Sequence, residues 1–301
     1  SASIVGDTYY SSCSLLLHFD GANGSTTFTD NSPSPKTVTS VNGAAISTAQ
    51  SKFGGSSGLF DGTDNYVSIP TSDFNTFGSS NFTVELFFRS NQNNQQYSSF
   101  ISDEGASSGL IILLNVASSS DGKIGVWQTG CVTGLTSTNG GYNDNNWHHI
   151  AYVRNGSIAT IYVDGTNQAS TTISGNPSTP AGAFIIGSAA VAGRVFNGYI
   201  DELRITKGVA RYTGSFTTSS VAFANNINVL QTATKYIGLV GGLNDTNVDY
   251  GIEKLSDSSL KIKKLTDTQQ PSGSFLSSSV DRVYVNVLNY DNVSISGSIS
   301  N

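Results

Sequence analysis

Glu85 is the acidic residue whose setting most invites a catalytic interpretation. It lies among apolar residues of the run Phe82–Phe88, where a carboxylate can act as a general acid. Glycoside hydrolases, however, pair two carboxylates across the bond that they cleave. Thr83 and Phe87 share the strand face of Glu85, so this strand supplies no second acid. We therefore expect no catalytic residue here, and a structural carboxylate bonded to nearby backbone or to Arg204.

Two pairs of adjacent ionisable residues, Asp201–Glu202 and His148–His149, are also candidates for chemistry. Successive side chains of a strand point to opposite faces of the sheet. Asp201 and Glu202 therefore cannot form a same-side acid pair, and we expect one to face inward with a partner and the other to face solvent. The same divergence argues against joint ligation of a metal by the two histidines.

Aromatic rings beside amide-rich loops are the residues best suited to binding a sugar. A ring offers an apolar surface for stacking, and Asn, Asp and Gln side chains can bond hydroxyl groups. The candidate carbohydrate-binding residues are Tyr97, Trp127, Tyr142, Asn143 and Asp144. The alternative is that these aromatics are core residues next to solvated loops. That alternative is strongest for Trp127, because it lies within a predicted strand.

The composition argues against several classes of function. The 301 residues carry a net charge of −6, so no positive field attracts phosphate backbones and no nucleic-acid partner is expected. No apolar run approaches the roughly 20 residues of a membrane helix, which predicts no membrane insertion. The first residues contain no basic stretch followed by an apolar core, so we expect no signal peptide. Cys13 and Cys131 are expected to be unrelated, partly buried thiols, and they can pair only if their Cα atoms come within about 7 Å.

The elements that position these residues are β-strands. Charged residues make up only 12% of the chain, and glycine is abundant at 32 residues, a composition that favours turns and strands over helices. Alternate residues from Phe82 to Phe88 are apolar, as in a strand with one buried face. Trp147–Arg154 and Ser157–Val163 flank Asn155-Gly156, a favoured hairpin turn. Short strands with regular turns predict an all-β antiparallel β-sandwich.

The sequence pattern changes near residue 224, which predicts three regions. Residues 1–12 form an N-terminal arm, residues 13–224 the sandwich, and residues 225–301 a small β-rich C-terminal module for anchoring or assembly. In that module Lys261 and Lys263 share one strand face, which is typical of a solvated sheet edge.

Four segments of the sandwich resemble the motifs of one family, the concanavalin A-like laminin-G-type domain. They are Phe60-Asp61-Gly62 with Asp64-Asn65-Tyr66-Val67, Asn81–Phe88, Trp147–Ala151 with Ile161–Gly165, and Gly198–Ile205. The resemblance covers residues 13–217 and implies a concanavalin A-like jelly roll. That fold serves lectins, glycosidases and assembly modules, so it says less about the ligand.

The resemblance also implies a candidate cofactor. No cofactor is required, but several members of this family hold one Ca²⁺ in a loop at the rim of the sandwich through oxygen ligands. The candidate ligands here are Asp61, Asp64, Asn65, Asp103 and Glu104. Their spacing does not choose among them, and Asp61 and Asp64 lie beside glycine turns, where the alternative role is to cap a turn.

Two further segments, Leu15–Gly21 and Thr206–Tyr212, resemble forms found in bacteriophage virion proteins. This implies a non-enzymatic virion surface protein, such as a phage appendage, tail fibre or capsid decoration, made in the host cytoplasm, with a lectin-like domain that binds host-surface glycans. The expected partners are other virion proteins, host cell-surface polysaccharide and further copies in a homo-oligomer. A purely structural assembly or spacer module is the alternative, and a glycoside hydrolase is less favoured.

Overall fold

The computed structural model describes residues 3–70, 76–103, 109–173, 175–180, 182–191 and 193–225, together with six later strand segments. Its strands are β1 (Ser3–Val5), β2 (Cys13–Leu17), β3 (Thr39–Val41), β4 (Ala45–Ser47), β5 (Ser57–Asp61), β6 (Tyr66–Ile69), β7 (Phe82–Arg89), β8 (Ser98–Ser102), β9 (Leu110–Leu114), β10 (Ile124–Gln128), β11 (Val132–Thr136), β12 (Trp147–Asn155), β13 (Ile158–Val163), β14 (Thr166–Thr172), β15 (Phe184–Ile186), β16 (Asn197–Lys207), β17 (Val229–Gln231), β18 (Gly238–Leu239), β19 (Tyr250–Lys254), β20 (Leu260–Lys264), β21 (Tyr284–Val287) and β22 (Ile295–Ser298). One 3₁₀ turn, Tyr10–Ser12, precedes β2. Within these ranges no helix is long and apolar enough to cross a membrane.

The chain forms two compact units, Gly6–Ile227 and a second unit made of Ser1–Val5 with Asn228–Asn301. In the second unit, β1 pairs with β17, β18 to β20 form a three-stranded sheet, and β21 pairs with β22. The predicted sandwich ended at residue 224, three residues before the end of the first unit. The predicted arm, residues 1–12, is divided between the two units.

The first unit is a sandwich of two antiparallel sheets, which confirms the predicted fold class. One sheet has eight strands in the order β14-β13-β12-β7-β16-β5-β4, with β2 also paired to β16. The other has seven strands in the order β11-β10-β9-β8-β15-β6-β3. Each sheet combines pairs of consecutive strands, such as β12-β13 and β8-β9, with pairs that are distant in sequence, such as β7-β16 and β8-β15.

The core lies between the two sheets, where alternate residues of each strand meet. Phe82, Val84, Leu86 and Phe88 of β7 all point into it, as their spacing predicts. Phe88 contacts Phe100 of the opposite sheet, with ring centroids 4.6 Å apart. Each such side chain stabilises the fold by roughly 1.5–3 kcal/mol through burial of apolar surface.

The outer face of the eight-stranded sheet is covered by residues 208–223, which we call the C-terminal strap. Its backbone is bonded to the sheet edge, because Phe216 N donates to Gly165 O at 2.8 Å. A Cβ at position 165 would lie 1.9 Å from Phe216 O, so only glycine allows this close approach. Within the strap, Tyr212 and Phe216 stack with ring centroids 3.5 Å apart.

Both cysteines are free thiols, as expected from their separation in sequence. Cys13 packs beneath the strap with Leu16, Phe87 and Phe223. Burial raises the pKa of the Cys13 thiol to about 12, so it stays protonated and unreactive near neutral pH. Cys131 lies in the turn between β10 and β11, in the other sheet.

Candidate functional site

Glu85 lies at the centre of a buried ionic network on the outer face of the eight-stranded sheet. Its Oε1 accepts hydrogen bonds from Arg204 Nε at 3.0 Å and Nη2 at 2.8 Å. Its Oε2 accepts from His149 Nε2 at 3.1 Å and from the Tyr212 hydroxyl at 2.8 Å. Arg204 Nη1 also donates to Asp7 Oδ2 at 3.0 Å. The predicted bond between Glu85 and Arg204 is confirmed.

This network gives Glu85 a structural role. Burial acts to raise the pKa of Glu85, but the charge of Arg204 and the hydrogen bond from His149 outweigh it and hold that pKa well below its usual range. A carboxyl group that stays ionised cannot donate a proton as a general acid. Glu85 is also 1% exposed, because the strap residue Tyr212 lies over it. This sheet face therefore offers substrate no access to Glu85.

The structure corrects the expectation that one of Asp201 and Glu202 faces solvent, because both are buried. A register shift after Asp201 and a φ of +52° at Glu202 break the alternation of β16. Asp201 Oδ2 accepts hydrogen bonds from the backbone N–H groups of Lys52 at 2.7 Å and Phe53 at 3.1 Å. Glu202 Oε1 bonds His18 Nδ1 at 2.8 Å. The two carboxylates therefore brace different loops.

Asp201 is the less well satisfied of the two carboxyl groups. Within the part of the chain that the structure describes, its Oδ1 has no hydrogen-bond partner. Burial raises the pKa of Asp201 to about 7, against the opposing effect of the two backbone hydrogen bonds. The folded-state pKa of Asp201 exceeds the unfolded value of 3.8. The contribution of Asp201 to the free energy of unfolding is therefore fully present below pH 3.8, where the group is protonated in both states, and is lost as the pH rises to about 7.

We expect Asp201→Asn to raise the free energy of unfolding at pH 8 by about 1–3 kcal/mol, since Asn keeps the acceptor oxygen without a buried charge. The difference from the wild type should shrink towards zero near pH 4, where Asp201 is protonated. Urea unfolding across this pH range measures it. Asp64→Asn, which changes an exposed carboxylate, is the control and should leave the pH profile unchanged. A gain that is the same at pH 4 and pH 8 would contradict the assignment.

His148 and His149 serve separate networks, as their adjacency on a strand predicts. His149 faces Glu85, whereas His148 bonds Asp164 Oδ2 through Nδ1 at 2.7 Å and Asp144 Oδ1 through Nε2 at 3.0 Å. Burial acts to lower the pKa of His148, but the hydrogen bonds to Asp164 and Asp144 raise it above its ordinary value. Among the described residues, no group of three or more His, Cys, Asp or Glu side chains is placed to hold a metal ion.

The outer face of the seven-stranded sheet carries a different kind of cluster. The β9–β10 register places Trp127 opposite Ile111, and both point away from the core. Tyr97 meets Trp127 edge to face, with ring centroids 6.2 Å apart. The Arg194 guanidinium carbon lies 5.8 Å from the centroid of Tyr97. We call Tyr97, Trp127 and Arg194, together with the buried Ile111 and Leu113, the aromatic surface.

Trp127 keeps its place because two glycines make room for its indole. A Cβ at position 125 would lie 2.8 Å from Trp127 Cζ3, and one at position 134 would lie 3.3 Å from Nε1. Any larger residue at position 125 therefore has to displace the ring. The side chain is partly exposed and packs on the outside of the sheet, so it is not a residue of the core between the sheets.

Asn115 holds the loops around the aromatic surface. It is fully buried, with a φ of +60°. Its Nδ2 donates to Gln92 O at 2.9 Å and Gln95 O at 3.1 Å, and its Oδ1 accepts from Gly122 N at 2.9 Å. Its own carbonyl accepts from Tyr97 N at 3.0 Å. One side chain thus joins the loop that carries Tyr97 to the loop after β9.

The other three predicted sugar-binding residues are engaged in contacts within the protein. Tyr142 packs against the main core and meets His148 edge to face at 5.2 Å. Asn143 Nδ2 donates to Gln92 O at 3.0 Å. Asp144 holds His148 and is exposed. These residues brace the loop before β12, while Tyr97 and Trp127 contact each other on the outer sheet face.

The calcium candidates near β5 brace a turn. Asp61 Oδ1 accepts from Thr63 N at 2.8 Å, and Asn65 Oδ1 accepts from Asp61 N at 3.0 Å. Asp64 is exposed, and its carbonyl oxygen accepts from Asn42 Nδ2 at 3.2 Å. These contacts are those of the alternative turn-capping role.

The remaining calcium candidates lie after β8. Asp103 is buried, and its Oδ1 accepts a hydrogen bond from Leu110 N at the start of β9. Glu104 lies outside the described residues. Calcium binding by either group of candidates stays a prediction.

Sequence reasoning missed the residues that support the aromatic surface, although two of them leave a signal. Gly125 is two positions before Trp127 and therefore shares its strand face, and a glycine inside a strand often marks the close approach of another group. Asn115 follows a run of apolar residues, and asparagine is enriched in the left-handed region among non-glycine residues. Arg194 leaves no signal in the sequence, because it is far from Tyr97 along the chain and only the fold brings the two side chains together.

Solved structures with a fold similar to this chain include two toxin domains and one domain of an enzyme. The binding domain of botulinum neurotoxin serotype G has a TM-score of 0.50 and 13% identity, over 84% of this chain and 65% of its own. The binding domain of Paraclostridial Mosquitocidal Protein 1 has a TM-score of 0.49 and 17% identity, over 67% of this chain and 50% of its own. Domain 4 of the arabinanase AbnA from Geobacillus stearothermophilus, solved with arabinotriose, has a TM-score of 0.49 and 20% identity, over 66% of this chain and 93% of its own. At such identities, likeness to the neurotoxin domain speaks for the fold alone.

Comparison of the sequence with protein families gives a more specific result. No curated protein matches the chain. The family model for laminin G domains of the concanavalin A-like lectin/glucanases superfamily matches residues 61–211, half of the chain. The matched range contains Tyr97, Trp127 and Arg194, and also Glu85 and Arg204. The chain belongs to the concanavalin A-like lectin/glucanases superfamily.

Proposed function

We propose that this protein is a non-enzymatic glycan-binding protein and that the aromatic surface is its binding site. The observation that carries the proposal is the position of Trp127. Its indole is partly exposed, seated between Gly125 and Gly134, and braced by Tyr97 on a sheet face outside the core. A fixed aromatic ring of this kind presents an apolar platform at little entropic cost, since it is already immobilised before binding.

Polar groups around the aromatic surface supply what a sugar requires beside stacking. Asn91, Asn93 and Asn94, in the loop before Tyr97, are exposed. Each side-chain amide offers a carbonyl acceptor and two N–H donors, which matches the paired donor and acceptor character of sugar hydroxyl groups. The side-chain amide of buried Asn115 donates hydrogen bonds to two backbone carbonyl oxygens of this loop, those of Gln92 and Gln95. The backbone that carries the exposed amides is therefore held in place.

The state of Glu85 supports binding without hydrolysis. A glycosidase of the retaining or inverting type needs two carboxyl groups about 5–9.5 Å apart beside the substrate. Glu85 is covered by Tyr212 and held ionised by Arg204. Asp7, the carboxylate that shares Arg204, is buried in the same network. Neither acid is available to a polysaccharide chain.

We further propose that the protein acts on the surface of a virus particle, where it binds host polysaccharide as a tail fibre, appendage or capsid decoration. The support is the resemblance of Leu15–Gly21 and Thr206–Tyr212 to segments of bacteriophage virion proteins. Other virion proteins and further copies of the chain are the partners that this setting implies. Antibody labelling of purified particles in electron micrographs tests it, and its absence from intact particles would refute the location.

A purely structural role is the second candidate, favoured by the division of the chain into two units. Residues Asn228–Asn301 belong, together with Ser1–Val5, to a unit separate from the sandwich, as an anchoring module would. A chain that is only a spacer needs the anchor but no ligand. Particle incorporation of a chain that ends at residue 227, compared with the full chain, tests the anchor.

A glycan array with the full-length chain tests the binding function, together with an assay for new reducing ends. We expect binding to a restricted set of glycans and no release of reducing sugar. Uniformly flat signals across host polysaccharides would leave the structural role. Release of reducing ends would contradict the non-enzymatic assignment.

A further inference from the structure

Arg154 is a buried cation to which the described part of the chain gives no carboxylate partner. Its side chain is 7% exposed. Nε donates to Gly156 O at 3.0 Å, Nη1 to Gly78 O at 3.1 Å and Nη2 to Asn176 Oδ1 at 3.2 Å. All three acceptors are neutral. Arg204, by contrast, has two carboxylate partners. A buried charge without a counter-ion is costly, which makes Arg154 exceptional in this fold.

The guanidinium of Arg154 also retains unused hydrogen-bonding capacity. A guanidinium has five N–H donors, and three of them are engaged by the neutral acceptors above. These three bonds fix the side chain against the β12–β13 hairpin and the segments around Gly78 and Asn176. Arg154 is therefore held in one orientation, so a ligand that meets it does not have to immobilise it.

Arg154 lines a shallow, open pocket of about 330 Å³. Besides Arg154, it is lined by the polar residues Ser79, Ser157 and Asn176, by the glycines Gly156 and Gly175, and by one apolar residue, Ile173. Its volume is near the lower end of the range for ligand pockets and suits a single small ring. None of the lining residues belongs to the aromatic surface, so the two sites are separate.

We propose that this pocket binds the carboxylate of an acidic sugar, a hexuronate unit of a polysaccharide. The planar guanidinium fork matches a carboxylate, and a charge-assisted hydrogen bond is about twice as strong as a neutral one. The Ser79 and Ser157 hydroxyls and the Asn176 amide can bond ring hydroxyl groups. The ligand is thus an acidic glycan. That it is a sugar rests on the proposed function, and that it is acidic rests on Arg154 alone.

Titration with sodium glucuronate, followed by NMR chemical shifts of the full-length chain, tests the proposal, with glucose as the neutral probe. We expect glucuronate to bind at least about tenfold more tightly than glucose, because only glucuronate supplies a counter-ion to Arg154. Equal binding of the two sugars, or binding of neither, would overturn the proposal. So would binding of inorganic sulfate alone.

Two variants of the exposed residue Ser157 separate charge from volume without disturbing the bonds of Arg154. Ser157→Glu places a carboxylate of the protein in the pocket and should weaken glucuronate binding at least about tenfold. Ser157→Gln has the same size without the charge and also removes the Ser157 hydroxyl, so it should weaken binding much less than Ser157→Glu. Equal effects of the two variants would contradict the role of charge. Trp127→Ala should leave glucuronate binding intact, which separates failure of this pocket from failure of the aromatic surface.

Discussion

Arg204→Met is expected to lower the free energy of unfolding by about 3–5 kcal/mol, because it removes the cation that holds buried Glu85 through two hydrogen bonds. Asp7 keeps its two hydrogen bonds from Arg211 of the strap, whose Nε lies 3.7 Å from Glu85 Oε1. Arg204 bonds Glu85 through Nε and Nη2, and Asp7 through Nη1. Its guanidinium carbon also lies 3.7 Å from the ring centroid of Phe223, in the strap. The loss corresponds to a fall of roughly 6–20 °C in the thermal midpoint for a domain of this size. Urea unfolding near pH 7 measures the change.

Two further variants show whether the weaker pairing of Glu85 causes that loss. Arg89→Met, at the end of the neighbouring strand β7, removes an arginine that bonds only neutral amides among the described residues, those of Gln50 and Asn145. We expect it to cost less than about 1.5 kcal/mol. Combining Glu85→Gln with Arg204→Met should restore part of the lost stability, because the buried charge that lost its two hydrogen bonds from Arg204 disappears. If Arg204→Met cost no more than Arg89→Met, the network would not hold the strap to the sheet.

Trp127→Ala is expected to weaken binding of the glycan identified on the array by about 10- to 100-fold. The ring is the platform of the aromatic surface, and truncation of a central tryptophan commonly costs 2 kcal/mol or more in binding free energy. Trp127→Phe keeps a flat ring over Gly125 and should lose less. Isothermal titration at fixed temperature and salt gives the affinities.

The control for Trp127→Ala is Ile158→Ser, since Ile158 is a large apolar residue, 39% exposed, on the other sheet. It should leave affinity unchanged, and circular dichroism should show that each variant keeps its fold. Unchanged affinity of folded Trp127→Ala would refute the aromatic surface as the binding site.

The sandwich was largely predictable because its strands carry a strong local signal. The alternation in Phe82–Phe88 indicates a strand with one buried face, and the Asn155-Gly156 turn indicates a hairpin. Neither signal depends on residues that are distant in sequence. The edge strands β11 and β14 escaped prediction. Val132–Thr136 and Thr166–Thr172 contain few large apolar residues, because an edge strand packs against the core on one side and is solvated on the other.

The site was less predictable because it depends on contacts between distant segments. The strand neighbours of Glu85 were enough to predict that it has no second acid beside it. Its bond to Arg204 was one of two alternatives that the sequence left open, and it joins residues 119 positions apart. The prediction that one of Asp201 and Glu202 faces solvent was wrong, because it assumed a regular strand and β16 changes register there. Tyr97 was a candidate from its loop. Its contact with Trp127, across 30 positions of sequence, exists only in the folded sheet.

Sugar is proposed to bind at Trp127, on the outer face of the seven-stranded sheet. The chain has two tryptophans, and Trp147 belongs to the eight-stranded sheet, where it packs with Phe87. The ¹H–¹⁵N spectrum therefore contains two indole N–H signals, which Trp127→Phe assigns. Titration with the bound glycan should shift the Trp127 signal and leave the Trp147 signal in place. A shift of the Trp147 signal alone, or saturable binding that moves neither signal, would contradict sugar binding at Trp127.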